Sequence, residues 1–200
     1  MPCFLSKLVR KYVKAVEDQQ IIALFQQRSE NAIVELSAKY GPLCKKLAYN
    51  ILGDRHDAEE CVNDAYLTLW NKIPPEAPEP LSAYLCAVVR NIAINRYYYN
   101  TAAQRSSSYT VALQEIEGCL PSPASVESDY LAKETTRSIE QFLKKQDQKA
   151  RVLFMRRYWY GDSIEELSAL FGISKHQVSV RLHRIRTKLK KHLIKEGIYP

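Results

Sequence analysis

The sequence predicts an all-α protein built as two small helical domains, and three observations predict it. Apolar residues recur at helical spacing along the 200 residues, whereas the Val/Ile/Thr alternation of strands is almost absent. Only six glycines are present. Charge is unevenly spread: residues 1–100 hold 12 bases and 11 acids, residues 101–135 hold 2 and 5, and residues 136–200 hold 15 and 6. The formal net charge of +7 therefore resides in the last third, which points to a polyanion as partner there.

A chain of this length builds small cores, enough for one or two domains but not for a large enzyme fold. The five cysteines (Cys3, Cys44, Cys61, Cys86, Cys119) are odd in number, widely spaced and free of any C-x-x-C pair. That excludes a disulfide framework and a zinc site, and leaves reduced, buried helical cysteines. No stretch approaches the ~20 apolar residues a membrane span needs. The opening "MPCFLSKLVRKYVKAVEDQQ" lacks an export signal's apolar centre and cleavage site, so a cytoplasmic protein with no direct membrane insertion is expected.

Residues 1–19 read as a basic amphipathic extension, and the first helical domain spans residues 20–100. In "SENAIVELSAKY", Ser29 suits an N-cap, and Ala32, Ile33, Leu36 and Tyr40 repeat at helical spacing. Gly41-Pro42 predicts a kink or restart, and Gly53 a stop. The next helix contains "DAEECVNDAYLTLW", with four acids (Asp57, Glu59, Glu60, Asp64) and no base. Asp57 with Glu60 has capping-box spacing. Ala58, Cys61, Val62, Ala65 and Leu69 form the apolar stripe, which leaves Glu60 and Asp64 outward. "IPPEAPEP", four prolines in eight residues, is a stiff extended loop. In "LSAYLCAVVRNIAINRYYYN" the expected buried side is Leu81, Tyr84, Leu85, Val88 and Ile92, with Asn91, Asn95 and Tyr98 on the other.

Residues 101–124, with a serine run and two prolines, read as a flexible linker. Residues 125–200 read as four helices near 125–145, 148–159, 163–171 and 175–195. Capping boxes stand at Ser163-x-x-Glu166 and Ser174-x-x-Gln177, with the Gly172 turn between them. Two short helices joined by such a turn are the helix-turn-helix signature.

Residues 174–195 hold eight bases and no acid. Val178, Leu182, Ile185 and Leu189 are the expected buried stripe, packed on Ile164, Leu167 and Leu170. Lys175, His176, Ser179, Val180 and His183 are left at the front of the helix, where side chains reach base edges in a major groove. Arg181, Arg184, Arg186 and the lysines beyond suit phosphates. The histidines at 176, 183 and 192 have no carboxylate or cysteine near them in sequence, so no metal is expected.

"DAEECVNDAYLTLW", "LSAYLCAVVRNIAINRYY" and "SIEELSALFGISKHQVSVRLHRIRTKL", in this order and spacing, resemble bacterial RNA polymerase sigma factors, and within them the small extracytoplasmic-function (ECF) group. The resemblance covers roughly residues 20–100 and 135–192. It implies that the acidic helix docks on the largest-subunit clamp of core RNA polymerase through Glu60, Asn63, Asp64, Leu67 and Trp70. Asn63 stands where the family often has Gln. Trp70 also fits a second role, capping a core before the proline loop.

The resemblance further implies that the following helix melts the promoter −10 element, with Arg90, Asn91, Asn95, Arg96 and Tyr98 on single-stranded DNA. The loop from Pro74 to Pro80 would wall the base pocket. Tyr97, Tyr98 and Tyr99 stand where the family usually carries more Arg. Lys175, His176, Ser179, Val180, Arg181, His183 and Arg184 would bind the double-stranded −35 element. The implied partners are core RNA polymerase (including its upstream-element region), promoter DNA and an anti-sigma factor; no cofactor or enzymatic activity is implied. The alternative is a free-standing helix-turn-helix regulator that acts as a dimer without polymerase. An acidic docking helix in place of a dimerisation face or ligand pocket weighs against it. No Gly-rich phosphate loop or catalytic constellation supports an enzyme.

Overall fold

The computed structural model describes residues 17–100, 108–120 and 128–198. Of the expected N-terminal extension, residues 1–16 lie outside that range. Nine helices and no strand occur among the described residues, in two compact units, Met1–Arg105 and Ser106–Pro200. None of these helices is long and apolar enough to cross a membrane.

The first unit holds α1 (Asp18–Gln26), α2 (Asn31–Leu52), α3 (Arg55–Lys72) and α4 (Leu81–Tyr99). Helices α2, α3 and α4 pack on one another, and α1 lies on α2. Small side chains line the crowded contacts: Cys44 and Ala48 from α2, Ala58, Cys61 and Ala65 from α3, Cys86 and Ala93 from α4, all buried.

Several local features differ from the sequence expectation. Helix α2 runs unbroken through Pro42. The buried residues Leu36, Tyr40, Cys44, Leu47 and Ile51 keep helical register on both sides, and that packing offsets the roughly 3 kcal/mol of an interior proline. Gly41 contributes space: a Cβ there would stand 3.4 Å from the Tyr66 hydroxyl. Ser29 is not the N-cap. Its carbonyl accepts from the Ala32 N–H at 2.9 Å, and Glu30 precedes the helix without a side-chain cap bond.

The cap of α3 is Asp54, not Asp57; its carboxylate accepts from the N–H groups of His56 (2.8 Å) and Asp57 (3.1 Å). Gly53, at φ 70°, ends α2, so the extended Asp54 starts the next helix at once. In α4 the buried set is Leu81, Leu85, Cys86, Val89 and Ala93, while Tyr84, Val88 and Ile92 are only half-buried. The helix is turned toward its small residues because α2 and α3 both press on it.

The second unit holds α5 (Ser108–Glu117), α6 (Ser128–Lys145), α7 (Gln148–Tyr158), α8 (Ile164–Phe171) and α9 (Lys175–Lys195). Helix α5 lies within the expected linker. Tyr109, Ala112, Ile116 and Cys119 are buried, and the last three join the core formed by Phe142, Leu153, Phe154, Leu167, Leu182 and Leu189. Glu115 fixes the helix further. Its carboxylate accepts from Arg157 (2.6 Å) and Tyr158 (3.1 Å) on α7 and from Arg186 (3.0 Å) on α9. The Arg157 side chain is 2% exposed, and its remaining bond goes to the Asp162 carbonyl at 2.9 Å.

Replacing Glu115 with Ala strands that buried guanidinium, at an expected cost on the order of 3 kcal/mol. Glu115→Gln keeps an acceptor and should cost less. Urea unfolding of the full chain measures both. A Glu115→Ala midpoint equal to wild type would contradict this role.

Candidate functional site

On α3 the expected docking residues divide into two groups. Asn63, Asp64 and Leu67 are exposed, Leu67 by 58% despite its apolar side chain. Asp64 makes no ion pair among the described residues, and its neighbour Glu59 is engaged by Lys45 at 3.0 Å.

Glu60 and Trp70 are half-buried and held from within the unit. Arg96 Nη2 lies 2.5 Å from Glu60 Oε2, and His56 Nε2 lies 3.3 Å from Glu60 Oε1. Trp70 meets Phe25 edge to face at 6.2 Å between centroids. The Arg28 guanidinium lies 5.6 Å from the Trp70 ring centre, and its Nη1 donates to the Trp70 carbonyl. Both readings of Trp70 thus have a physical basis: one part rests on α1 and the other faces solvent.

On α4, Asn91, Asn95 and Tyr98 are exposed at i, i+4, i+7, and Tyr98 is 64% exposed. Tyr97 lies edge to face against Tyr98 at 5.7 Å, and Tyr99 extends into solvent. The loop from Pro74 to Pro80 precedes this helix, and Tyr84 donates to Glu76 within it. Arg90 is half-buried.

Arg96, expected on single-stranded DNA, has partners within the unit. It turns back onto α3, where Glu60 lies at 2.5 Å and the Asp57 carbonyl at 3.4 Å. Burial disfavours its charge, but the hydrogen bond and charge of Glu60 hold its pKa above the ordinary arginine value. The acids at the start of α3 attract the one guanidinium within reach of them on α4. Asp57, read from the sequence only as a cap, accepts from Asn100 at 3.1 Å and completes this contact.

In the second unit both capping boxes form. Glu166 N donates to Ser163 Oγ at 3.2 Å and Gln177 N to Ser174 Oγ at 3.2 Å, each with the reciprocal bond. Gly172, at φ 63°, makes the turn between α8 and α9, and the Ser168 hydroxyl donates to the Ile173 carbonyl at 2.6 Å to close it. Leu167 is fully buried and Ile164 partly so, but Leu170 is 46% exposed. An eight-residue helix has one narrow buried stripe, 164-167-171, and Leu170 falls about a quarter-turn outside it.

Val178, Leu182, Ile185 and Leu189 are buried, and Leu193 extends the stripe. Lys175, His176, Ser179, Arg181, His183 and Arg184 are exposed, and Val180 is half-buried. Lys175 is held 2.6 Å from Glu165; the bond from this lysine keeps the Glu165 carboxyl below the usual carboxylate range. The Ser179 hydroxyl donates back to the Lys175 carbonyl at 3.1 Å. His176 and His183 thus stand between side chains with internal partners.

Two of the bases expected on phosphates belong to the fold instead. Arg186 donates to Glu115 and to the Tyr158 hydroxyl (2.6 Å), and Lys190 donates to the Gly118 carbonyl (3.1 Å). Helix α5, unseen in the sequence, supplies Glu115 and leads into Gly118. The exposed bases Arg181, Arg184, Lys188, Lys191 and Lys195 repeat at spacings of three and four, and so line one flank of α9. At 1.5 Å per residue that flank is about 21 Å long. His192 has a carboxylate neighbour after all, Glu196 at 4.0 Å, and packs on Phe142. No group of three or more His, Cys, Asp or Glu among the described residues is arranged to hold a metal ion.

Comparison with known proteins bears on both units. Residues 36–102, which contain α3, α4 and most of α2, match the sigma-70 region 2 family. Across 198 residues the chain is 23% identical to the ECF RNA polymerase sigma factor SigW of Bacillus subtilis (strain 168), covering 94% of this chain and 98% of that protein. The second of these likenesses extends past α4 and takes in α8 and α9. The first unit thus carries the likeness of a sigma-70 region 2, and the chain as a whole is similar to an ECF sigma factor along nearly its full length.

Proposed function

We propose that this chain binds core RNA polymerase through the outer face of α3, opens the −10 element on α4 and holds the −35 element with α8 and α9. The likeness to sigma-70 region 2 and to an ECF sigma factor supports promoter-specific initiation with RNA polymerase; the assignment of elements to helices is our reading. The observation that carries it is the order of parts in one chain, a sigma-70 region 2 unit followed by a doubly capped helix-turn-helix. The protein acts by binding, as a non-enzymatic subunit, in the cytoplasm, and an anti-sigma factor is its proposed regulator.

Asp64, exposed beside Asn63 and Leu67, gives α3 an acidic surface with an apolar centre. A basic surface on the clamp would be drawn to the acids, while Leu67 and the solvent side of Trp70 add apolar contact once water leaves. On α4, Asn91 and Asn95 supply amides that both donate and accept, which suits the edge of an extruded base. Tyr98 offers an exposed ring on which a second base can stack. At the far element, His176, Ser179, Val180 and His183 sit at the front of α9 for base edges, with Lys175 beside them. Arg181 and Arg184 begin the basic flank and take phosphates.

The free-standing regulator remains the second reading, and the test must separate the two. Gel filtration with core polymerase should show co-elution of wild type and its loss in Asp64→Lys. If neither protein co-elutes while DNA binding persists, the dimeric regulator gains. Replacing Asn91 and Asn95 together with Ala should leave polymerase binding intact and abolish most promoter opening. Undiminished permanganate reactivity of the melted strand would sink that assignment. Arg184→Ala should weaken binding to all DNA sequences and reduce the salt slope by about one unit. Arg186→Ala, by contrast, should lower the unfolding midpoint and leave that slope unchanged; a drop in slope there would contradict its internal role.

A further inference from the structure

We propose that Arg96 is a positioning residue and not a DNA contact, and that its bridge to Glu60 ties the docking helix α3 to the base-reading face of α4. The inference rests on the proposed function of those two faces and adds how they are joined.

The last turn of α4 is attached to the first turns of α3 at two points. Arg96 meets Glu60 at 2.5 Å and the Asp57 carboxylate at 4.0 Å, and Asn100 donates to the other Asp57 oxygen at 3.1 Å. The last carbonyls of a helix have no partner within it, and a terminal turn frays unless something else holds it. Here the holding groups are side chains of the neighbouring helix.

Asn95 is the residue next to Arg96 and Tyr98 lies two beyond it. At 100° per residue, a guanidinium fixed toward α3 turns Asn95 away from α3 and sets the direction of Tyr98. Both are exposed. A phosphate could recruit Arg96 only by displacing two carboxylates, and a fixed, partly desolvated acid pair holds a guanidinium better than one mobile monoanion does. Glu60, neutralised from inside, contributes less to the outer field of α3 than Asp64.

Tyr97, Tyr98 and Tyr99 follow Arg96, so this helix end has little cationic hold on DNA and depends on its orientation.

The test is a charge swap in the full chain, with core polymerase at saturating concentration and permanganate reactivity as readout. Arg96→Glu places like charges together and should reduce opening by about tenfold. Glu60→Arg combined with Arg96→Glu restores the principal pair with reversed polarity and should recover a clear part of that loss, the remainder going to repulsion from Asp57. A phosphate contact predicts the opposite: the swap leaves a glutamate at 96 facing DNA, and opening stays lost although polymerase is bound. That result overturns the proposal.

Arg96→Gln guards against a swap that does not fold. It should lower opening without changing the salt slope of DNA binding, and a fall in slope by about one unit would identify a phosphate contact and overturn the proposal. If wild type itself fails to bind polymerase, the functional reading falls and takes this inference with it, a result distinct from failure of the swap alone.

Discussion

Close approach of α2, α3 and α4 is the constraint on which the first unit depends. Three helices meet over small side chains, and each can bury only the stripe that faces the other two. Ala58, Cys61, Ala65 and Leu69 point inward on α3, and Leu85, Cys86, Val89 and Ala93 on α4. The outer faces follow by geometry: Asn63, Asp64 and Leu67 on one helix, Asn91, Asn95 and Tyr98 on the other. A bulkier residue at Cys86 or Ala93 would push α4 outward and move its whole outer face with it. The interaction surface is thus a product of the core and is only as well defined as the core is.

Charge is used twice in the second unit, and the two uses compete. A helix bearing eight bases and no acid reads in sequence as one continuous cationic surface. In the structure Arg186 and Lys190 are committed to α5, and Lys175 shares its charge with Glu165. What remains outward is the flank from Arg181 to Lys195. The formal charge of the last third therefore overstates how many phosphates it can neutralise. A buried ion pair such as Glu115–Arg157 is weak evidence of net stability, because desolvation consumes much of the attraction. What the pair does in the structure is tie α5 at once to Arg157, Tyr158 and Arg186.

Much of this was legible in the sequence, and the failures share a cause. The stripes of α3 and α9, the Gly53 and Gly172 stops and both serine capping boxes depend on a few neighbouring residues, and those appear as read. The α2 break, the α4 stripe and the linker were misjudged where tertiary contacts decide. Pro42 is a breaker only in isolation. Tyr84, Val88 and Ile92 are the more apolar choice, but the smaller Cys86 and Ala93 fit the space. Helix α5 has a legible period, Tyr109-Ala112-Ile116-Cys119, hidden by the serines before it and the prolines after. The residues proposed for docking and for melting are separable by face, yet nothing local tells that Glu60 and Arg96, 36 positions apart, neutralise each other.

On the proposed function, these placements divide the labour of holding and opening DNA. The outer face of α4 is aromatic and amide-bearing, and Arg96, beside Asn95, is turned onto α3. Such a surface has little attraction for a closed duplex, whose outside is phosphate, and much more for unstacked bases, which every aromatic ring can receive. Helix α9 is the reverse: its flank is drawn to phosphate in any duplex, and only the few residues at its front can discriminate sequence. The first unit therefore gains most of its contact after strands separate, while the second contributes most of the hold before. Opening is favoured to the extent that polymerase keeps α3, and through it α4, fixed beside the strand that must leave the stack.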